Sequence, residues 1–171
     1  MNTRKMVIAA LFLSLGFILH QIMPGLPLGS MKPDPFLAMM FLAILYVDDF
    51  RGTMAIGLAA GILTAMTTTF PMGQIPNIID KAVTAPVVYL IFHLLRNLKN
   101  HTLRLSIVSV LGTLLSGTVF LGSALVLVSL PAPFIALFVG VVLPAVVTNS
   151  ILVLFMDRVL TRAKISSPQK V

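Results

Sequence analysis

Asp80-Lys81 stands at the start of a long apolar stretch, and a second acid and base lie together in Gly29-Ser30-Met31-Lys32-Pro33-Asp34. Ionisable groups in an apolar span are costly to bury, so their presence points to use. A zwitterionic ligand needs an anion for its ammonium and a cation for its carboxylate, and each pair offers both. Asn77 shares a helical face with Lys81 at i, i+4 and meets Asp80 at i, i+3, so this face can hold a polar ligand group. The plainer alternative is structural: Lys32 snorkels to lipid phosphate, Asp34 caps the next helix and Asp80 neutralises Lys81. Gln74 lies just before this helix, while His20 and Gln21 are expected at a solvated helix end on the same side. Asn149, deep in the last apolar run, needs partners for its amide, supplied by an interhelical bond or by a ligand.

Helices must position these residues, because 58% of the 171 residues are hydrophobic and only 10% are charged. Residues 6–22, 52–70, 82–95, 103–130 and 134–156 carry almost no charge, unlike a surface helix of a soluble protein. At ~20 residues per crossing the chain has room for about six helices. The expected fold is an all-α membrane protein: one compact bundle of six transmembrane helices over 1–163, then a flexible cytoplasmic tail at 164–171. The second helix is short, since 36–47 spans ~18 Å against a hydrocarbon core of ~30 Å. It must start near Met31 or be sunk among the others, and Asp34-Pro35 reads as an N-cap followed by proline at N1. The third helix is lined with glycine, alanine and threonine, which lets neighbouring backbones approach. The fifth is expected to be broken by Gly112, Gly117 and Gly122, and the sixth holds Pro144 and Asn149.

Charge orients the bundle. Arg4, Lys5, Arg51, Arg96, Lys99, Arg104, Arg158, Arg162, Lys164 and Lys170 fall in one alternating set of gaps, against Lys32 and Lys81 in the other. The positive-inside rule then places both termini in the cytoplasm and makes the crossings even, which six satisfies. The first apolar run lacks a small-x-small cleavage site and is read as a retained helix.

Several classes are excluded. Cysteine is absent, and with it disulfides, thiolate zinc sites and cysteine nucleophiles. The net charge of +7 is not arranged as a basic stripe interleaved with aromatics, so no nucleic-acid partner is expected; membrane lipid is. No hydrolase, metalloprotease or phosphate-loop motif is present, and His20, His93 and His101 are scattered. No enzyme activity, metal or cofactor is expected. Ala10 and Ser14 make a small-x-x-x-small step, flanked by Ala9 and Gly16, that serves either internal packing or docking of another membrane protein.

Thr3-Arg4-Lys5-Met6-Val7-Ile8-Ala9-Ala10-Leu11, Gly29-Ser30-Met31-Lys32-Pro33-Asp34 and the segment 77–81 together resemble the bacterial tryptophan transport protein family. That family is similar to the substrate-binding S components of energy-coupling factor (ECF) transporters. The resemblance implies an importer of L-tryptophan in the bacterial cytoplasmic membrane, with an outward-facing pocket built from the first outer loop and helices four to six. Asp80, Lys81, Asn77, Lys32 and Asp34 would then take the charged end and the indole nitrogen, with Asn149 and Gln74 nearby. It also implies an Ala-x-x-x-Ala surface that meets an energising membrane subunit working with two cytoplasmic ATPases; here the step is Ala10-x-x-x-Ser14. The alternatives are a solitary carrier coupled to protons through Asp80, and a scaffold subunit that transports nothing.

Overall fold

The shortest helix lies at the centre. In the computed structural model, which describes residues 3–24 and 34–163, the chain forms six helices and no strand among the described residues. They are α1 (Thr3–Ile22), α2 (Pro35–Val47), α3 (Phe50–Thr67), α4 (Gln74–Leu94), α5 (His101–Leu127) and α6 (Phe134–Arg162). All except α2 are long and apolar enough to cross a membrane. Twelve of the 13 residues of α2 are buried, all but Tyr46. A helix apolar on every side must be covered on every side, and at ~20 Å this one cannot reach both membrane surfaces. It packs against α1, α3, α4, α5 and α6, so the sunken alternative is the one realised.

The ends of α2 follow from local chemistry. Pro35 stands at N1 as expected, but the Asp34 side chain makes no capping bond and is free to reach elsewhere. At the other end Asp48 closes the helix in the left-handed region (φ 48°), which aspartate tolerates better than most residues. Asp49 Oδ2 then accepts a 2.9 Å hydrogen bond from the Gly52 amide and caps α3.

Close approach is concentrated where α3 meets α4. A Cβ at Gly61 would stand 3.0 Å from Ile78 Cα, and one at Gly57 3.0 Å from the Lys81 carbonyl oxygen. The i, i+4 glycine pair therefore lets the backbone of α4 lie directly on α3. In α5 the glycines do not break the helix, contrary to expectation, and it continues through all 27 residues. Gly112 instead makes room for Phe41 and Val88, and Gly117 for Val142. In α6 the turn Phe138–Val142 widens to π-helical geometry just ahead of Pro144. Proline has no N–H to give the carbonyl four residues back, and the helix absorbs the loss by widening.

Side-chain contacts sort the helix ends into two poles. Lys5 Nζ donates to the Val47 carbonyl at 3.0 Å, joining the start of α1 to the end of α2. His101 Nε2 lies 3.1 Å from Asp157 Oδ1, joining the start of α5 to the last turns of α6. At the opposite pole His20 near the end of α1 meets Thr67 at the end of α3, and Asp34 meets Lys81. The two sets of ends that differ in lysine and arginine are thus the two ends of the bundle.

Candidate functional site

Because α2 is short, its N-terminus stops below the ends of its neighbours, and the longer helices wall a cleft above it. The cleft encloses a cavity of about 70 Å³, within about 600 Å³ of non-protein space that takes in its open mouth. His20, Asp34, Asn77, Asp80, Lys81 and Asn149 line it, with Thr68, Thr69, Thr113 and Ser116 as further polar groups. Phe70, Phe120, Leu37, Val141, Val142 and Ala145 supply the apolar wall. Phe70 and Phe120 meet edge to face with ring centroids 5.3 Å apart.

Lys81 organises the polar floor. Only 1% exposed, its Nζ lies 2.6 Å from Asp34 Oδ2 and 2.6 Å from Asp80 Oδ2. Seven residues from the start of α4, it sits ~10 Å below that helix end. Asp80 is bound further: Oδ1 accepts from Thr84 Oγ1 at 2.9 Å and Oδ2 from Ser116 Oγ at 2.8 Å. Paired charge and hydrogen bonds together offset the cost of burying this carboxyl group. Asp34 is less satisfied, since its Oδ1 is buried with no partner among the described residues.

The other expected residues divide. Asn149 is fully buried; its Nδ2 donates to Thr113 Oγ1 at 3.3 Å, while its Oδ1 has no partner among the described residues. Asn77 lines the cleft, with Nδ2 turned back to the Gly73 carbonyl at 2.8 Å. Gln74 is exposed in the first turn of α4 and stands apart from the lining. Lys32 lies outside the described residues. His20 corrects the expectation of a solvated helix end: it is buried, with Nδ1 2.7 Å from Thr67 Oγ1, whereas Gln21 is exposed. Ala10 and Ser14 are both exposed on α1, so their small-residue step does not serve packing within the described bundle.

The sequence model of a family described as "Tryptophan transporter TrpP" matches residues 2–164. The chain belongs to that family. Three similar proteins carry the name "Probable tryptophan transport protein". One from Clostridium acetobutylicum is 48% identical over 88% of both chains. One from Bacillus subtilis is 50% identical over 88% of this chain and 87% of its own. One from Clostridium perfringens is 43% identical over 95% of this chain and 93% of its own. No solved structure matches the chain. Members of the tryptophan transporter family are transporters and not enzymes, and with its long apolar helices this member is a multi-pass protein of the bacterial cell membrane.

Sequence reasoning missed a polar stripe on α5 that this transporter brings to the floor of its cleft and beyond it. Ser109, Thr113 and Ser116 repeat at i, i+4 and i+7 in the apolar α5, which puts their hydroxyls on one face. That face meets Ser150, Asn149 and Asp80 in turn. The spacing was readable, but single hydroxyls are common in membrane helices, so nothing in the sequence separated this stripe from ordinary packing.

Proposed function

We propose that the protein imports L-tryptophan, binding it from outside in the cleft above α2. The carrying observation is the pair of buried acceptors, Asp34 Oδ1 and Asn149 Oδ1, that have no partner among the described residues and line one cleft with Lys81. An unsatisfied buried acceptor costs ~1–3 kcal/mol, so both gain from a ligand that brings N–H donors. Tryptophan brings an ammonium for Asp34 and an indole N–H for Asn149. Lys81 spends two of its three N–H donors on Asp34 and Asp80, and the third is directed to the ligand carboxylate. Phe70 and Phe120 flank the indole.

The chain contains no tryptophan and only two tyrosines, so bound ligand is itself the fluorophore. Titration of L-tryptophan into the detergent-solubilised chain is expected to give a saturable change in emission, with phenylalanine a far weaker competitor. Phenylalanine would leave the Asn149 acceptor unpaired, which discriminates strongly. Asn149→Leu should narrow the preference. No saturable change, or equal competition by phenylalanine, would reject the assignment.

The cation-rich pole is assigned to the cytoplasm by the positive-inside rule, giving six helices with both termini inside and the cleft open outside. Since native cysteine is absent, Lys99→Cys offers a single label site. It should react with an impermeant thiol reagent only after the membrane is opened; labelling in intact cells would reverse the orientation.

The exposed Ala10/Ser14 face supports the finer reading of an ECF-type S component, with this face docked on the energising membrane subunit that works with two ATPases. Small residues let helices approach closely, so Ala10→Leu and Ser14→Leu should weaken that assembly and leave tryptophan binding intact. Normal co-purification of both variants, or uptake independent of the ATPases, would leave a solitary carrier instead.

A further inference from the structure

A second cavity, of about 740 Å³, opens at the cation-rich pole between the α4–α5 connection, the first turns of α5 and the last turns of α6. Arg96, Lys99, Arg104, Arg158 and Arg162 line it, against one carboxylate among the described residues, that of Asp157. That carboxylate is already engaged, 3.1 Å from His101 Nε2. His101 Nδ1 lies in turn 3.3 Å from Nη2 of Arg104, which is only 3% exposed. Topology alone needs cations near this membrane face, not gathered around a concave space with one of them buried. Four of the five are arginines, whose planar forks match phosphate oxygens two at a time.

Exposed apolar residues adjoin the lining residues along the same two helices. Leu103 stands beside Arg104, and Val159 and Phe155 continue along α6; all three are exposed. A polar, cationic hollow at a helix-end level that runs on into exposed apolar helix faces has the two-part chemistry of a phospholipid. We infer that this cavity is a binding site for a phosphate-bearing anion, and that the anion is the headgroup of an anionic phospholipid whose acyl chains lie along α5 and α6. A free phosphate would use the arginines and leave the apolar faces idle.

The test uses the full chain purified into nanodiscs of phosphatidylcholine with a minor fraction of phosphatidylglycerol, followed by native mass spectrometry of retained lipid. Arg158→Gln/Arg162→Gln removes two exposed cations and leaves the buried Arg104 in place. Retention of phosphatidylglycerol relative to phosphatidylcholine is expected to fall about tenfold or more, with the thermal unfolding midpoint unchanged. Millimolar inorganic phosphate should not displace the lipid. Equal retention by variant and parent overturns the site and returns these cations to topology or to a partner subunit. Displacement by inorganic phosphate at comparable concentration overturns the lipid assignment in favour of a free anion.

Discussion

Lys81→Met is expected to abolish tryptophan binding. The substitution keeps most of the side-chain volume but removes the cation that lies 2.6 Å from both Asp34 and Asp80. Two carboxylates would then share a floor buried in the bundle, and breaking a buried ion pair by removing one partner costs ~3–5 kcal/mol. Binding separately loses the cation that meets the ligand carboxylate. Removing one partner of such a buried charge pair costs ~2–5 kcal/mol of affinity, and the upper part of that range turns micromolar binding into millimolar or worse. Asp80→Asn should act in the same direction, because Lys81 keeps only Asp34 and Ser116 and Thr84 lose a charged acceptor. A fully neutral floor separates support of the fold from contact with the ligand. Asp34→Asn/Asp80→Asn/Lys81→Met contains no unpaired charge and should recover thermal stability, since neutral replacement of a buried ion pair is often tolerated. It should still not bind. Fluorescence titration beside thermal unfolding makes the comparison, and near-parent affinity in Lys81→Met or in the triple variant would remove the triad from the site.

Gly57→Val is expected to damage the same site from behind. A Cβ at Gly57 would stand 2.7 Å from Ala85 Cβ and 3.0 Å from the Lys81 carbonyl oxygen, both held by the frame of α4. No flexible side-chain tip can give way, so α4 must move off α3 and take Lys81 with it. Overpacking of this kind costs ~1–3 kcal/mol. Since Asp34 is held by a different helix, the two ion pairs cannot follow together, and tryptophan affinity should drop about tenfold or more. Gly122→Val is the internal control, because nothing lies within 4 Å of a Cβ there. If the two variants bind tryptophan equally well, contact between α3 and α4 does not hold the floor in place.

How much of this was legible in the sequence depends on what kind of signal each feature leaves. Long uncharged runs are unmistakable, so the five long helices were readable, and alternation of cations between gaps separated their ends into two sets. The Asp34-Pro35 start of α2 was also readable, as was the use of Asp80 and Lys81 in one buried cluster. What a single chain does not encode locally is which helix is central. The apolar run of α2 would look the same facing lipid, and only packing against five neighbours made it the floor of a cleft. For the same reason the sequence left Asp34 open between a cap and a site residue, and did not show that its carboxylate reaches a lysine 47 residues away. His20 read as a helix end in water because its cover, Thr67, comes 47 residues later. Glycines in α5 read as breaks because the large partners that need their space, Phe41 and Val142, lie in other helices.

The position of α2 also dictates an order of construction. It is the second helix to be synthesised, yet α6, one of its five covering neighbours, begins at Phe134, some 87 residues after α2 ends at Val47. Until α6 has left the ribosome and entered the bilayer, one flank of α2 has no protein against it. That flank is wholly apolar, so lipid can wet it in the interval without cost in hydrogen bonds. Among the described residues, the acidic end of α2 gains its ion pair only when α4 delivers Lys81. Biogenesis thus has two closing events in fixed sequence: charge neutralisation when the fourth helix arrives, then exclusion of lipid when the last one does. Chains truncated before α6 should therefore hold their ion pairs while leaving the central helix in contact with the bilayer.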